Sequence, residues 1–285
     1  MRWSPKRTRA PQEIGAGVEP EDQGMPSVNQ VDRRPVFQRI ISAIGAPWLR
    51  RSFDRQQRQE ATRQNTPQSR FESLIGTATE VAQINPRGVF DLIKATLRPL
   101  QSERMLAIAE RHTVDDPVDS YWFFGEAVRK ILYSPDGMDF RGLKLDEKRY
   151  ELHLARDMIL PGPWSRSRYI EAMAHYGSMK EYDKIDRFPD ADYTWRQDDN
   201  HSVVLWLPWR IGFVCSGNHS ITAGILAGEG TIVPDDVYDM SFLLDELYCD
   251  GRFFRSAKTK KILSGAPDIR ISAAFEMGRL VSDVI

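Results

Sequence analysis

Apolar residues recur at helical spacing between residues 70 and 132. One face of the first predicted helix carries Phe71, Leu74, Ile75, Ala78, Val81 and Ala82. Such spacing is typical of an amphipathic helix packed on a core. Helix breaks are expected at Asn85-Pro86 and at Pro99. Further helices are predicted to open at Val89 and to cover residues 103–111 and 122–132, so this segment is all-helical.

The pattern changes after residue 150 to short apolar runs separated by glycine and proline, which indicates strands. Residues 203–207 and 211–215 flank Pro208-Trp209-Arg210 and predict a β-hairpin. Other strands are expected over residues 152–159, 231–234 and 237–240, and helices over residues 165–175, 218–227, 241–248 and 272–284. Helices followed by a mixed strand and helix region predict an α+β fold.

Composition divides the chain into three parts. Residues 1–35 are rich in Pro, Gly, Glu, Gln and Arg and poor in apolar residues, so we expect a disordered basic arm. Residues 36–135 form the predicted helical region, which ends at the turn sequence Ser134-Pro135-Asp136-Gly137. Residues 136–285 form the predicted mixed α/β domain.

The formal net charge of −1 conceals an uneven distribution of charge. Residues 1–70 carry 13 Lys and Arg against 7 Asp and Glu, whereas the rest of the chain carries 26 against 33. A basic arm ahead of an acidic body suggests an anionic partner or contact between the two parts, and a solvated tail is the alternative. Residues 36–49 predict a short basic amphipathic helix, which more often docks on a protein partner than on a membrane.

The composition excludes several classes of protein. The chain has two cysteines, Cys215 and Cys249, without Cys-rich spacing, so neither a disulfide framework nor a structural zinc site is indicated. No apolar run approaches the roughly 20 residues that span a bilayer. The basic first residues lack the apolar core of a secretory signal. We therefore expect a cytoplasmic location.

The polar stretch Ser216-Gly217-Asn218-His219-Ser220 follows an apolar strand pattern and precedes a helical one. That order predicts a strand, a tight turn and a helix, with Gly217 providing a positive φ or room for the backbone. The free N–H groups of the helix start and three polar side chains then face one spot, which suits an anion. Asn218 and Ser220 are also ordinary helix-capping residues.

Residues 150–240 resemble the ParB N-terminal/sulfiredoxin-like superfamily. The resemblance rests on Ser216-Gly217-Asn218-His219-Ser220, on Ala223-Gly224 in the following helix and on Ile232-Val233-Pro234 at the next strand. It implies a small mixed α/β domain that binds a nucleotide or a phosphate group at the helix start. Members include CTP-switching DNA partition proteins, ATP-dependent sulfinic acid reductases, serine kinases and some nucleases.

Three positions depart from the family pattern. The Arg that follows the family His is Ser220 here, which removes a bidentate phosphate donor. The frequent acidic residue at the loop start is Ser216. The reactive Cys of the sulfiredoxin branch is Asn218, so sulfinic acid reduction is not expected.

The site hypothesis joins this loop to the start of the preceding predicted helix. His219 and Ser220 are the expected catalytic residues, because His titrates near neutral pH and suits acid or base work; a structural His is the alternative. The expected ligand-binding residues are Gly217, Asn218, Arg166, Arg168 and Trp164. Either arginine would supply the charge that Ser220 lacks. The expected cofactor is a nucleotide with Mg²⁺, and no metal-ligating residues are assigned.

Three other features favour a structural interpretation. Cys215 lies in an apolar strand, so a buried inert thiol is expected more than a nucleophile. Trp206, Trp209 and Arg210 form a cluster that more often packs a core and a turn than stacks a base. Asp198-Asp199-Asn200-His201 has oxygen ligands for Mg²⁺, although such acidic loops are usually solvated.

These features predict a nucleotide- or nucleic-acid-directed enzyme that catalyses phosphoryl transfer or phosphodiester hydrolysis at residues 217–220. One alternative is a non-catalytic adaptor that binds DNA or protein, with the basic arm on phosphates. Another is a toxin- or antitoxin-like effector in phage defence, whose residues 36–132 dock on a protein partner.

Overall fold

The computed structural model describes residues 66–111, 120–133, 143–180 and 193–284. All of them belong to one compact unit, residues 57–285. The predictions for the arm at 1–35, the helix at 36–49 and the turn at 134–137 lie outside the described residues. The described part has the predicted α+β fold.

Four helices come first: Pro67–Ile84 (α1), Val89–Arg111 (α2), Ser120–Phe123 (α3) and Glu126–Leu132 (α4). The Thr66 side chain caps α1 by accepting the Ser69 N–H, and Pro67 lies in the first turn, where no intrahelical N–H is needed. Asn85 ends α1 and caps the 3₁₀ turn Pro86–Gly88 that leads into α2.

Two predicted helix boundaries in this region are wrong. Pro99 does not interrupt α2, because the buried residues Ile93, Leu97 and Ile108 hold both halves of the helix against the core. The helix predicted over residues 122–132 is divided at Gly125, whose φ of 92° does not belong to an α-helix.

A five-stranded mixed sheet carries the second half of the fold. Its strands are Lys144–Leu145 (β1), Met158–Leu160 (β3), Ser202–Leu207 (β4), Ile211–Ser216 (β5) and Asp236–Asp239 (β7), in the order β1-β7-β4-β5-β3. β4 and β5 form the predicted antiparallel hairpin. β5 pairs in parallel with β3, and β4 pairs in parallel with β7.

Two smaller sheets lie beside the main one. Leu152–His153 (β2) pairs with Thr231–Ile232 (β6). Leu247–Cys249 (β8), Phe253–Ser256 (β9) and Ile262–Gly265 (β10) form an antiparallel three-stranded sheet. The strand predicted over residues 152–159 is therefore two strands, β2 and β3, separated by a turn.

The remaining helices are Arg166–His175 (α5), Asn218–Ala227 (α6), Phe242–Glu246 (α7) and Ile269–Met277 (α8). The helix predicted over 241–248 is shorter, because β8 begins at Leu247. The helix predicted over 272–284 begins earlier and gives way to 3₁₀ turns after Met277. None of the described helices is both long and apolar enough to cross a membrane.

One core joins the first helices to the main sheet. α8 packs against α1 and α2. Phe124 from the α3–α4 turn contacts Trp206, Trp209 and Phe275. Since these large aromatic side chains are buried together, they supply much of the apolar area that stabilises the unit. The described helices before residue 135 and the sheet after it therefore share their hydrophobic core.

Helix α6 is fixed by a second cluster of buried residues. Its Ile221 and Ile225, one helical turn apart, pack with Val203 and Val214 of the hairpin. Seven of the ten α6 residues are buried. The start of α6 therefore has a fixed position at the end of β5.

Candidate functional site

Two neighbouring parallel strands end at the same edge of the main sheet. After β3 the chain passes through residues 161–165 into α5, and after β5 it passes through Gly217 into α6. Ligand crevices in α/β sheets form outside the carboxyl ends of strands, where such loops and helix starts meet. The polar loop of the sequence hypothesis therefore lies where this topology favours a site.

A cavity of about 470 Å³ opens at this edge; we call it the α6 cavity. Its volume is within the range of small-molecule sites. Six of the seven predicted site residues line it: Trp164, Arg168, Gly217, Asn218, His219 and Ser220. Arg166, two residues before Arg168 on α5, does not line it. Of the two arginines predicted to bind a ligand, Arg168 is therefore the one placed at this cavity.

The start of α6 is an uncapped helix N-terminus. The first intrahelical bond runs from the Ile221 N–H to the Gly217 carbonyl. In the described part of the chain no side chain caps this end, and the first turn holds no acidic residue. The backbone N–H groups of Asn218, His219 and Ser220 therefore have no acceptor among the described residues. They carry the positive end of the helix dipole into the cavity wall.

Gly217 is needed for two reasons. Its φ of 75° lies in the left-handed region that other residues rarely adopt. A Cβ atom at this position would lie 2.4 Å from His201 Cδ2 and 3.1 Å from the Asn200 carbonyl oxygen. Both the predicted positive φ and the predicted need for backbone room are therefore observed.

Asn218 and His219 fasten the loop that precedes α5. The Gly162 N–H donates to Asn218 Oδ1 at 2.7 Å, and the Ser165 N–H donates to His219 Nε2 at 3.0 Å. Because Nε2 accepts, a neutral His219 carries its proton on Nδ1, which has no partner in the described ranges. Burial lowers the His219 pKa, and the nearby Arg168 charge lowers it further. His219 is therefore a neutral donor near pH 7.

Trp164 and Arg168 form the mouth of the cavity. Trp164 is 58% exposed, and its ring lies edge-on to His219 at 5.5 Å between centroids. The Arg168 guanidinium lies 5.2 Å from the Trp164 ring centroid, a cation–π contact. Arg168 makes no ion pair with any described residue. Its charge is therefore available to a ligand beside an exposed aromatic face.

Ser220 is bonded to a histidine that the site hypothesis did not include. His201 Nε2 lies 2.6 Å from Ser220 Oγ, and Ser220 Oγ donates to the Gly217 carbonyl at 3.1 Å. The Asp198 N–H donates to His201 Nδ1 at 2.8 Å, and Asp198 Oδ1 lies 2.9 Å from the same nitrogen. These distances are like those of an Asp–His–Ser triad.

The direction of these bonds differs from that of a triad. Because the Asp198 amide donates to Nδ1, neutral His201 holds its proton on Nε2 and donates to Ser220. Burial lowers the His201 pKa, although the Asp198 charge opposes this shift. Ser220 therefore has its hydroxyl proton directed at a carbonyl and receives no general base. Its observed bonds brace the turn rather than activate a nucleophile.

The acidic loop at residues 198–201 holds no metal cluster. Both ring nitrogens of His201 are engaged, and Asn200 Oδ1 accepts from Ser216 Oγ at 3.2 Å. Across the described segments, no group of three or more His, Cys, Asp and Glu residues is placed to hold a metal ion. This loop therefore packs against Gly217 and hydrogen-bonds to Ser220.

The interpretation of Cys215 is corrected by the structure. Cys215 is exposed and lines the α6 cavity, whereas a buried thiol was expected. Val214 faces the core, and because strand side chains alternate, Cys215 faces the opposite side, which is open near the end of β5. Cys249 is the buried cysteine, and burial raises its pKa.

The hairpin aromatics pack the core, as favoured from the sequence. Trp206 and Trp209 are each at most 2% exposed. The Trp209 indole N–H donates to the Phe275 carbonyl at 3.0 Å. Neither ring is accessible for stacking a base. Trp164 remains as the aromatic side chain exposed at the site.

Three further lining residues, on α5 and at its C-cap, were missed from the sequence. Glu171, His175 and Tyr176 follow Arg168 at intervals of three, seven and eight residues. These intervals place them on one face of a helix, so the spacing could have indicated them. His175 Nδ1 lies 2.8 Å from the Glu171 carbonyl and donates to it, which leaves Nε2 of the neutral ring free to accept.

Comparison with known proteins gives a family but no described activity. No curated protein and no solved structure matches the chain. A family model matches residues 56–284, which include every described helix and strand and the whole α6 cavity. The chain therefore belongs to the family of unknown function DUF6710.

Proposed function

We propose that the α6 cavity binds a phosphate group of a nucleotide or nucleic acid, and that the protein is a nucleotide- or nucleic-acid-directed enzyme. The observation that carries this proposal is that the start of α6, whose first three N–H groups have no acceptor among the described residues, and Arg168 line one cavity. Helix N-termini bind phosphate because their N–H donors and dipole favour an anion at the same point. The ParB/sulfiredoxin-like resemblance supports the same location.

Trp164 supports a nucleotide rather than phosphate alone. Its exposed ring at the cavity mouth would stack a base, a contact that tolerates any base because each has a π-face. Arg168 already lies against this ring and would reach the phosphate from there. The expected ligand therefore has its phosphate at the α6 start and its base toward the mouth.

Glu171 is the residue that would hold a Mg²⁺ ion. It is the acidic residue among those lining the cavity. Mg²⁺ is commonly bound by one or two carboxylates together with substrate phosphates and water. One carboxylate beside a phosphate site fits that mode. Such an ion would also offset the charge of Glu171 next to an anionic ligand.

The proposed reaction is phosphoryl transfer or phosphodiester hydrolysis. His175 would act as general base through Nε2 and take a proton from the attacking water or hydroxyl group, since its Nδ1–H is held by a backbone carbonyl. His219 would donate a hydrogen bond from its Nδ1–H to a phosphate oxygen and keep that proton, and the leaving oxygen would take its proton from water. Ser220 would keep the turn in place. The base from α5 and the donor from α6 would then act on the same ligand.

A thermal-shift panel of nucleotides, with and without Mg²⁺, tests this proposal. A ligand at 100 times its Kd stabilises a protein by about 2.7 kcal/mol, which raises the melting temperature measurably. Arg168→Ala should weaken binding about tenfold or more, because a bond to a charged group is lost. Arg166→Ala is the matched control and should bind as wild type. The proposal fails if no nucleotide or short oligonucleotide shifts the wild-type protein.

A non-catalytic adaptor is the second candidate, and one observation favours it. The polar side chains of Asn218, His219 and Ser220 all make internal hydrogen bonds, as expected of a binding turn without catalysis. Turnover of a nucleotide or nucleic acid separates the two candidates. In the enzyme, the wild-type protein turns over its ligand, and His175→Gln abolishes turnover and leaves ligand binding intact. In the adaptor, the wild-type protein binds the ligand without turnover.

A further inference from the structure

A second cavity, of about 630 Å³, lies among the helices of the first core; we call it the helical cavity. Its wall comes from α1, α2 and one residue of α8, Arg270. It shares no lining residue with the α6 cavity. Its volume is also in the range of small-molecule sites.

Two side chains of this cavity contain buried polar atoms that make no hydrogen bond with any described residue. Thr96 is 6% exposed, and its Oγ1 makes no hydrogen bond with any described residue. The same holds for Nε and Nη1 of Arg270. Arg270 Nη1 lies 3.5 Å from Glu103 Oε1, and Nε lies 3.9 Å from Asp268 Oδ1; both are too long for good hydrogen bonds. An unpaired buried donor is costly, because it has given up its bonds to water.

Thr96 differs from other helical threonines of this chain. Thr77, Thr79 and Thr222 each donate their hydroxyl to the carbonyl four residues earlier, at 2.6 to 2.8 Å. This local bond is the usual outlet for threonine in a helix. The Thr96 hydroxyl does not use it. Its donor is therefore available at the cavity wall.

Pro99 adds an acceptor to the same wall. Because proline has no N–H, the Ala95 carbonyl loses its usual helical donor. Both residues line the helical cavity. Helix α2 therefore offers the Thr96 hydroxyl as a donor and the Ala95 carbonyl, which lacks its usual helical donor, within one turn of each other.

The remaining lining determines the class of ligand. The lining includes two arginines, Arg70 and Arg270, and one carboxylate, Glu103. The lining side chains therefore have a formal net charge of +1. Arg70 has no ion pair in the part of the chain that the structure describes. Leu74 and the rings and methyl groups of Pro99 and Ala95 give an apolar wall. Charge and apolar surface together fit a small amphiphilic anion.

We propose that the helical cavity is a second ligand site, which binds a small organic anion with an apolar body. Its carboxylate or phosphate head accepts hydrogen bonds from Thr96 and Arg270, and its apolar body lies against Leu74 and Pro99. This site is independent of the proposed nucleotide site.

Isothermal titration of the full chain with hexanoate and with phenyl phosphate tests this site. At least one probe should bind the wild-type protein, and the preferred probe identifies the head group. Thr96→Val keeps the side-chain shape and removes the hydroxyl, so it should weaken binding about tenfold or more. Arg270→Gln should weaken binding at least as much.

Three controls make the result specific. Thr79→Val removes a hydroxyl already bonded within α1 and should bind the probe as wild type. Arg168→Ala alters the α6 cavity and should also leave this binding unchanged. Circular dichroism and the melting temperature show that each variant is folded. The proposal is overturned if neither probe binds the wild-type protein, or if folded Thr96→Val and Arg270→Gln bind it as tightly as wild type.

Discussion

Helices α5 and α6 begin at the same edge of the sheet, but of the two starts only that of α5 is capped by a side chain of the described residues. At α5 the Ser165 side chain accepts the Arg168 N–H, and the Ser165 N–H itself is accepted by His219 of α6. At α6 the N-cap is Gly217, which has no side chain to offer. The Asn218 and His219 side chains of α6 thus accept backbone N–H groups of the segment that leads into α5, while the first N–H groups of α6 have no acceptor among the described residues.

This difference indicates where a ligand belongs. Helix starts normally find side-chain or solvent acceptors for their first N–H groups. Ser165 caps the start of α5, whereas the start of α6 has no side-chain cap among the described residues and lies beside Arg168 and Trp164. The open start therefore defines the proposed phosphate position.

The largest expected effect is that of Gly217→Ala, which disrupts the α6 start. The left-handed φ and the clash with His201 together should lower the free energy of unfolding by about 2 to 4 kcal/mol. Gly228→Ala is the matched control, because Gly228 at the other end of α6 has the same φ of 75° and open space for a Cβ. It should cost about 1 kcal/mol. Equal losses in urea denaturation would contradict the role given to the His201 contact.

Trp164→Ala tests what lies beside the open start. Loss of base stacking should weaken nucleotide binding by about 1 to 3 kcal/mol and leave inorganic phosphate binding unchanged. Trp122→Ala is the control, since Trp122 is 49% exposed and lies against Arg129 but outside the cavity. Titration calorimetry with a nucleotide and with phosphate measures both. Equal weakening of nucleotide binding by the two variants would remove Trp164 from the site.

Lowering the pH tests the bond that links the two helix starts. The pKa of His219 is lowered in the folded protein, so below about pH 6.5 the unfolded chain takes up a proton that the folded protein does not. The free energy of unfolding should therefore fall with decreasing pH, by at most about 1.4 kcal/mol per pH unit for this group. Urea denaturation from about pH 7.5 to about pH 5.5 measures the slope.

His219→Gln keeps an acceptor for the Ser165 N–H and removes the titration, so its slope should be smaller than that of wild type. His201, whose pKa is also lowered by burial, keeps part of the slope in this variant. Ser102→Ala changes an exposed side chain that does not titrate and should keep the wild-type slope. If His219→Gln has the wild-type slope as well, His219 is not the group that titrates.

The smallest expected effect is that of Ser165→Ala, which removes the cap of the closed start. The Arg168 N–H lies 3.5 Å from Ser165 Oγ, a long bond. The change should therefore cost only about 0.5 to 1 kcal/mol of stability and leave ligand affinity unaltered. Ser102→Ala, at an exposed position of α2, is the control and should be neutral. A large loss of affinity in Ser165→Ala would mean that both helix starts contribute to the ligand site.

Local signals in the sequence predicted much of the fold. The hairpin around Pro208-Trp209-Arg210 and the helices beginning after Ser165 and Gly217 follow from apolar periodicity and turn residues within a few positions. Pro99 shows the limit of such signals, because packing of the helix against the core outweighed a local break. On α5 the apolar side chain of Ile170 is 50% exposed, since the position of the sheet decides which face is buried.

The site shows the same difference between features set by local sequence and features set by contacts across the fold. Gly217, His219, Trp164 and Arg168 lie in two short segments whose local patterns were informative. His201 and Cys215 acquire their roles from contacts across the fold, with Ser220 and with the cavity respectively, which no local pattern encodes. The helical cavity depends on Thr96 and Arg270, which are distant in sequence, so it could not be predicted from local sequence patterns.

An NMR titration of backbone amides, with the nucleotide that gives the largest thermal shift, tests the proposed phosphate position most directly. The amide protons of Asn218, His219 and Ser220 should shift downfield on binding, and inorganic phosphate alone should move the same three. In Arg168→Ala these shifts should require about tenfold more ligand or greater. Nucleotide binding that leaves the three amides unmoved would contradict the claim that the open start of α6 holds the phosphate.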